Sequence, residues 1–534
     1  MTAEGGRRNE ERQAAFSLVT GHWSLVTAFL LGAVTVLAYE PFGLFPLTIL
    51  TLSALFIIWQ RADSARAAAR AGFAYGLGLF LFGVSWVYVS LHDFGAMPLP
   101  LAAAATLLFC VVLASLPALA AYLYARVAAP DVVKLAAAAP ALWTLAEWTR
   151  GWIFTGFPWL AAGYSQAPAS PLAGYAPVLG VYGVSLATAL SAGIIAALWL
   201  RKEEGGRRKE EGADKRFSYA FRLSPFAFLL VALWATGFGL KQVEWTQPVG
   251  EPVTVSLIQG NVAQDMKWRA EQLRATLETY LELVATASGQ LIVLPETALP
   301  LFLDQVPADY LAALAARPRG NRGDLLVGVP ERLPGGDYYN SVVSVGSSPT
   351  QTYRKSHLVP FGEFIPLRPV LGWLVSVLAI PLQDFARGSV DQRPLEVAGQ
   401  RVAADICYED AFGEEIIRQL PAATLLVNVS NVAWFGRSIA PQQHLQISQM
   451  RALETGRYML RATNTGVTAV INPLGRVEAS APEFARAVLT REVRGFEGST
   501  PFVAIGNYGA LALCAALVGV AVGCGARWGK RPAR

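Results

Sequence analysis

Charged residues are scarce in this chain. Asp, Glu, Lys and Arg make up 16% of its 534 residues, against 53% hydrophobic ones. Soluble domains average about 25% charged residues, so the deficit excludes a wholly water-exposed enzyme and points to membrane spans. Cysteine is scarcer still, with four in all. Cys110, Cys514 and Cys524 lie in apolar runs and read as small packing residues. Cys407 is left alone in the long polar part, which excludes a disulfide framework there. The histidines are His22, His92, His357 and His444, and no two have metal-ligand spacing, so no structural metal is expected. The net charge of +5 is gathered in short loops without any nucleic-acid motif. It reads as a topology signal, not as a nucleic-acid surface.

What is present is a series of apolar runs, each near the ~20 residues that cross a bilayer. Eight candidates stand out, at 24–39, 45–60, 72–91, 99–125, 135–152, 173–200, 223–240 and 502–526. The first lacks a small-residue cleavage site and is followed by further runs, so a retained helix is expected. With a cytoplasmic N-terminus, the inside loops hold Arg7, Arg8 and Arg12, then Arg61, Arg66 and Arg70, then Arg126 and Lys134. The connector 201–221 and the tail after 526 are basic as well, whereas the short outside loops Glu40–Pro46 and His92–Pro98 carry no Lys or Arg. This alternation obeys the positive-inside rule and puts residues 241–501 outside the cytoplasm. Glu147 and Arg150 share a helical face in the fifth run. They can form a structural pair or mark a functional position, and both readings stay open.

From Val253 the pattern changes to short β-branched runs alternating with helical stretches. Strands are expected at 253–258, 291–294, 324–329, 341–345, 402–406, 425–429 and 468–471, and helices at 269–287, 304–316, 412–420 and 441–456. Interleaved strands and helices predict a layered α/β domain. Segment 363–385 is nearly long enough to span, but Pro366, Pro369, Pro381 and Arg368 interrupt it. An apolar arm on the bilayer or over the site is expected, with an internal packed helix as the alternative. The sequon at Asn428 falls at a buried strand end and is read as coincidence.

Three side chains carry the chemistry. Cys407 ends the strand V-A-A-D-I and precedes Tyr408, Glu409 and Asp410. A thiol attacks as the thiolate, so it needs a base or a nearby cation. Glu296, after L-I-V-L-P, is a carboxylate at a strand end, suited to take that proton. Lys355 is a cation suited to an oxyanion. Taken singly, each also reads as a packing thiol, a loop carboxylate or a solvated lysine, and spacing alone does not bring them together.

The segments P-E-T at 295–297, R-K-S-H-L-V-P-F-G-E at 354–363 and D-I-C-Y-E-D at 405–410 resemble the nitrilase superfamily with its Glu-Lys-Cys triad. Q-G-N at 259–261, K-W at 267–268, N-V-S-N-V-A-W-F-G at 428–436 and Q-H-L-Q-I-S-Q-M-R-A-L-E-T-G-R at 443–457 resemble one branch, the apolipoprotein N-acyltransferases. The resemblance covers nearly the whole chain. It implies eight transmembrane helices, seven within 1–240 and the last within 502–534, around an extracytoplasmic αββα nitrilase-like domain at 241–501 of a bacterial inner membrane. It implies Glu296 as base, Lys355 as oxyanion stabiliser and Cys407 as nucleophile, with Glu363, Tyr408 and Glu409 in support and Trp268 handling substrate. Val432 departs from the family, which often has aspartate there. The implied reaction moves an acyl chain from a phospholipid through a Cys407 thioester to the α-amine of a diacylglyceryl-cysteine at a lipoprotein's N-terminus. No cofactor, metal or nucleic acid is expected. The alternative is a membrane-tethered nitrilase-like amidase acting on a small amide.

Overall fold

The structure is a computed structural model that describes residues 22–210, 216–264, 270–366, 369 and 384–528. Its first part is helical: α1 (His22–Thr35), α2 (Pro46–Gln60), α3 (Ala65–Gly83), α4 (Leu99–Arg126), α5 (Ala139–Arg150), α6 (Ala176–Glu210) and α7 (Arg216–Leu240). These helices hold one another through small residues and buried hydroxyls. A Cβ on Gly32 of α1 would sit 2.0 Å from the Tyr75 carbonyl oxygen of α3, so only glycine lets the two backbones approach so closely. Thr35 then bonds the Tyr75 and Thr51 hydroxyls at 2.8 and 2.7 Å.

Three helical stretches, Leu99–Arg126, Pro171–Glu203 and Tyr508–Ala526, are long and apolar enough to cross a membrane, and Ser24–Ala38, Pro46–Gln60 and Pro225–Leu240 are shorter apolar helices. The expected single run 72–91 is instead two helices, Ala65–Gly83 and Val87–Phe94, bent by 54°. At the break the Gly83 carbonyl accepts from Trp86 Nε1 at 3.0 Å and from Gln443 Nε2, far along the chain, at 3.2 Å. The final run is also divided, into Pro501–Ile505 and α11 (Tyr508–Trp528), at Gly506 with φ 56°.

The second part is two six-stranded sheets. One has the order β12 (Ala487–Gly498), β1 (Thr246–Gln259), β2 (Leu291–Val293), β3 (Asp324–Arg332), β4 (Tyr338–Gly346), β5 (Thr352–Arg354). The other has β11 (Val477–Ser480), β10 (Ala469–Ile471), β9 (Met459–Thr463), β8 (Leu425–Ser430), β7 (Gln400–Ile406), β6 (Leu395–Val397). Val255, Leu257 and Val293 of the first sheet meet Ala404, Val427 and Leu460 of the second in one core. Helix α8 (Ala270–Thr286) and α9 (Ala308–Gly320) cover the first sheet through Tyr280, Val284 and Leu314. Helix α10 (Ala440–Thr455) covers the second through Leu445 and Ala452. The parallel strands β2, β3, β7 and β8 are buried on both faces, which is why they read as unbroken apolar runs.

All seven expected strands and the helices 269–287, 304–316 and 441–456 form, with shifted ends; the stretch 412–420 shortens to single turns at Gly413–Ile416 and Ile417–Gln419. Five strands escaped the sequence reading: β5, β6, β9, β11 and β12. The most telling is β9, M-L-R-A-T, whose central Arg461 argues against a core strand yet is fully buried.

Helix α10 joins the two parts. Fifteen of its sixteen residues are buried. Leu445 faces the sheet, while Ile447, Met450 and Leu453 belong to the core of the helical bundle. Its polar groups are satisfied across that boundary: Gln443 Oε1 accepts from Trp86 and Trp159 at 3.1 and 2.8 Å, and Glu454 accepts from the Val181 N–H at 2.7 Å.

Glu147 and Arg150 do not meet as an ion pair. The backbone reverses after α5, with left-handed φ at Phe154, Thr155 and Gly156. The returning segment captures both side chains. Glu147 accepts from the Ala162 N–H at 2.9 Å, and Arg150 donates to the Phe157 carbonyl at 3.0 Å and to that of Trp159.

Candidate active site

Three strand ends supply the site. Cys407 follows β7 and opens a 3-10 turn, Cys407–Ala411, with φ +56°. A non-glycine residue in the left-handed region is strained by about 1 kcal/mol or more, and such strain gathers at functional positions. Glu296 follows β2, and Lys355 follows β5. All three come together, because the opposed sheets bring the ends of β2, β5 and β7 to one edge of the sandwich.

Lys355 is buried to 1% exposure. Its ammonium lies 2.9 Å from Glu363 Oε2, 3.0 Å from Glu363 Oε1 and 3.6 Å from Glu296 Oε1. Asn340 on β4 donates one amide nitrogen to both carboxylates, at 2.7 Å to Glu296 and 3.0 Å to Glu363. Lys355 and Asn340 thus face the same two acceptors, and the Lys355 N–H bonds the Asn340 carbonyl at 2.8 Å. The other oxygen of Glu296 accepts from the Asn431 N–H at 2.8 Å.

Charge explains the state of the site. Burial alone would lower the Lys355 ammonium, but Glu363, Glu296 and Glu409 outweigh it, so Lys355 is held above the ordinary lysine range. Burial pushes the Cys407 thiol up, and so does the Glu296 carboxylate, against the pull of Lys355. A thiol shifted in this direction resists ionisation, so a nucleophilic role would call for a base beside it.

Glu409 ties the lysine loop to the cysteine turn. Its Oε1 accepts from the Ser356 N–H at 2.7 Å, the Ser356 hydroxyl at 3.0 Å and the His357 N–H at 3.0 Å. Its Oε2 accepts from the Ile406 N–H at 2.8 Å and the Tyr353 hydroxyl at 3.0 Å. Tyr408 looks outward, donating to the Gly156 carbonyl of the helical part at 2.8 Å. Beside it His357 stacks on Phe412 with ring centroids 3.7 Å apart.

Glu296, Lys355, Cys407, Glu363 and Glu409 are thus one cluster, while Tyr408, next to the thiol in the chain, turns its hydroxyl to the helical part. Trp268 and most of the arm 363–385 lie outside the described residues. Where the arm begins, Ile365 packs on Met97 and Ala102 of the helical part. Val432 makes no polar contact at the loop. It is buried, and its methyl fills the space over Gly466, where a Cβ would come within 2.2 Å. The polar duty falls to its neighbour Asn431. Asn340 and Asn431 were missed as site residues: Asn431 lay within a quoted motif, but nothing local in the sequence marks Asn340. Asn428 is fully buried, as a coincidental sequon requires.

Two family models match. Residues 31–194 match the apolipoprotein N-acyltransferase N-terminal domain, and residues 254–500 match the carbon-nitrogen hydrolase family. A protein named apolipoprotein N-acyltransferase in Nitrosomonas europaea is 54% identical, covering 94% of this chain and 97% of its own length. Another of that name, in Chromobacterium violaceum, is 45% identical over 95% of this chain and 94% of its own length. With similarity covering both the helical bundle and the sandwich, the chain belongs to the apolipoprotein N-acyltransferase family.

Proposed function

We propose that this protein transfers a fatty acyl chain from a membrane phospholipid to the α-amine of an N-terminal diacylglyceryl-cysteine on a lipoprotein, by a ping-pong route through Cys407. The observation that carries the reading is the Glu296–Lys355–Cys407 cluster standing at the junction with an apolar helical bundle. Glu296 takes the thiol proton as the sulfur attacks the ester carbonyl of the donor. Lys355, already charged and desolvated, stabilises the oxyanion. The tetrahedral adduct collapses, the carbon–oxygen bond breaks, and Glu296 returns the proton to the departing lysophospholipid oxygen. The thioester then waits for the second substrate. The amine nitrogen attacks the carbonyl, Glu296 accepts its proton, the carbon–sulfur bond breaks, and Glu296 passes the proton to the departing sulfur. Glu363 and Glu409 hold Lys355 and its loop, and Tyr408 sits at the boundary with the helical part. Trp268 would handle substrate.

In this reading residues 1–240 carry seven of eight spans, residues 241–501 form the extracytoplasmic catalytic domain, and 502–534 hold the last span and a cytoplasmic tail. The alternation of basic loops supports that sidedness. The packing of Ile365 on Met97 supports an arm that starts against the membrane part. A small-amide hydrolase anchored in the membrane is not favoured, because such an enzyme has no use for the bundle that the family relatives share.

The test incubates purified protein with labelled phospholipid and looks for a hydroxylamine-sensitive acyl adduct on Cys407. The label should then pass to a diacylglyceryl-peptide amine. Acylation of the peptide with no adduct on Cys407 overturns the mechanism.

A further inference from the structure

The strained turn at Cys407 is held from behind through its own carbonyl oxygen. That oxygen accepts from Asn428 Nδ2 at 3.1 Å and from His444 Nε2 at 3.2 Å. Neither donor is free to swing. Asp405, Asn428 and Arg461 lie in one row of register across β7, β8 and β9, on the face that α10 covers. Arg461 Nη1 donates to Asn428 Oδ1 at 2.7 Å, and so orients the amide whose nitrogen reaches Cys407. His444 Nε2 lies 2.6 Å from Asp410 Oδ1, and Asp410 Oδ2 accepts from Ser448 at 2.6 Å and Arg461 at 3.1 Å.

The tautomer follows from the partners. A carboxylate and a carbonyl both face Nε2, so Nε2 carries the proton and shares it between them. His444 Nδ1 is buried with no partner among the described residues. Burial and the Arg461 charge lower the imidazole from its ordinary range, and Asp410 and the Cys407 carbonyl only partly offset them. It is a fixed donor, not a second base.

The same turn of α10 grips the helical bundle. Gln443 is adjacent to His444 and bonds Trp86, Trp159 and the Gly83 carbonyl. The Trp159 ring lies 5.3 Å from the His444 ring. One helical segment therefore touches the membrane-side helices with one residue and the backbone of the thiol-bearing residue with the next.

We infer that His444 is a positioning residue for Cys407: its Nε2–H, held by Asp410, fixes the carbonyl of the nucleophile's left-handed turn and ties the aim of the sulfur to the seat of α10 in the helical bundle. The inference rests on the reading of Cys407 as nucleophile. A shift of that carbonyl rotates the Cα–Cβ bond and moves the sulfur relative to Glu296 and Lys355, and small misplacement of reacting groups is costly.

The test compares H444Q with H444N in the full-length protein. Glutamine carries an amide nitrogen near the position of Nε2, whereas asparagine reaches only as far as Nδ1. Alkylation of Cys407 by iodoacetamide, located by mass spectrometry, reads the thiol without any lipid substrate. We expect H444Q to stay within about threefold of the parent, and H444N to lose about tenfold in alkylation and in kcat with KM unchanged. Equal rates for H444N and the parent overturn the inference. So does an equal loss in both variants alongside an equal fall in thermal midpoint, which would mark a packing role. Should H444N not fold, Ser448→Ala withdraws a donor from Asp410 and leaves His444 in place. It should slow alkylation about threefold, and no change there also overturns the inference. A parent protein whose Cys407 alkylates normally yet takes no acyl chain from phospholipid overturns the acyl-transfer reading and leaves the positioning role standing.

Discussion

Asn340 donates to Glu296 at 2.7 Å, and with the same nitrogen it reaches Glu363 at 3.0 Å. Two buried carboxylates close to one lysine repel each other, and a shared donor eases that repulsion while keeping both oxygens aimed at Lys355. A donor to an ionised carboxylate favours the ionised form. Asn340→Leu removes it, so Glu296 and Glu363 lose their common anchor beside Lys355. The kcat/KM should fall by about tenfold. An unchanged kcat/KM shows that Asn340 does not hold the carboxylates in place.

Lys355 is the cation between those carboxylates. Lys355→Met leaves two buried acids facing each other without a countercharge. A loss in kcat of about 10²–10³-fold is expected for a lost oxyanion donor, with a stability loss of about 3–5 kcal/mol for breaking a buried pair. Because its partners raise Lys355 above the ordinary value, its stabilising contribution is complete below that value and is lost only as pH rises past the raised one. No part of the activity profile near neutrality should trace to this residue. Chemical denaturation of the parent and the variant at one pH near neutrality checks the stability loss, and equal midpoints contradict it.

Glu409 accepts from five donors on both sides of the site. Glu409→Gln turns an amide NH2 toward N–H groups and must lose contacts to the lysine loop or to the cysteine turn. Acyl-adduct formation should fall about 10²-fold. Glu409→Asp, which keeps the charge with shorter reach, should recover part of it. If the amide variant forms adduct at the parent rate, the loop and the turn are held by other means.

At the seam between the two parts, Glu454 is pushed up to about 7 by burial, against Arg451 and the Val181 N–H. For an acid with a raised value, the folded state binds the proton more tightly than the unfolded state. Stability is therefore greatest below the unfolded value near 4.5 and declines as pH rises to about 7. The loss amounts to something on the order of 3 kcal/mol. Glu454→Gln keeps an acceptor for Val181 and removes the titration. Its thermal midpoint should change less between pH 5 and 8 than the parent's, and identical pH curves would rule out Glu454 as the source.

Much of the fold was legible because it is written in periodicity. The apolar runs and the amphipathic 269–287 stretch fell where the helices are, and the β-branched runs fell on the buried strands. The misses share a cause. A charged residue inside a core strand, as in β9, contradicts local pattern and is tolerated only because Asp410 and Asn428 meet Arg461 from elsewhere. At the bend after Gly83 the carbonyl is bonded by Gln443, a residue 360 positions away. The site residues in strand-end motifs could be named beforehand. Asn340 could not, since an asparagine in a strand looks the same whether or not two carboxylates face it.

The sequence by itself determined the chemical inventory: one thiol, its acid and its cation at strand ends, beside enough apolar chain to reach a membrane. Residue type and local spacing suffice for that, because helix and strand period act over a few residues. Only the tertiary structure decided that these groups share one edge of the sandwich and that a helix seated in the bundle holds the thiol's backbone from behind. Those properties depend on desolvation and on hydrogen bonds between residues far apart in the chain, and these exist only once the two sheets close and α10 is enclosed.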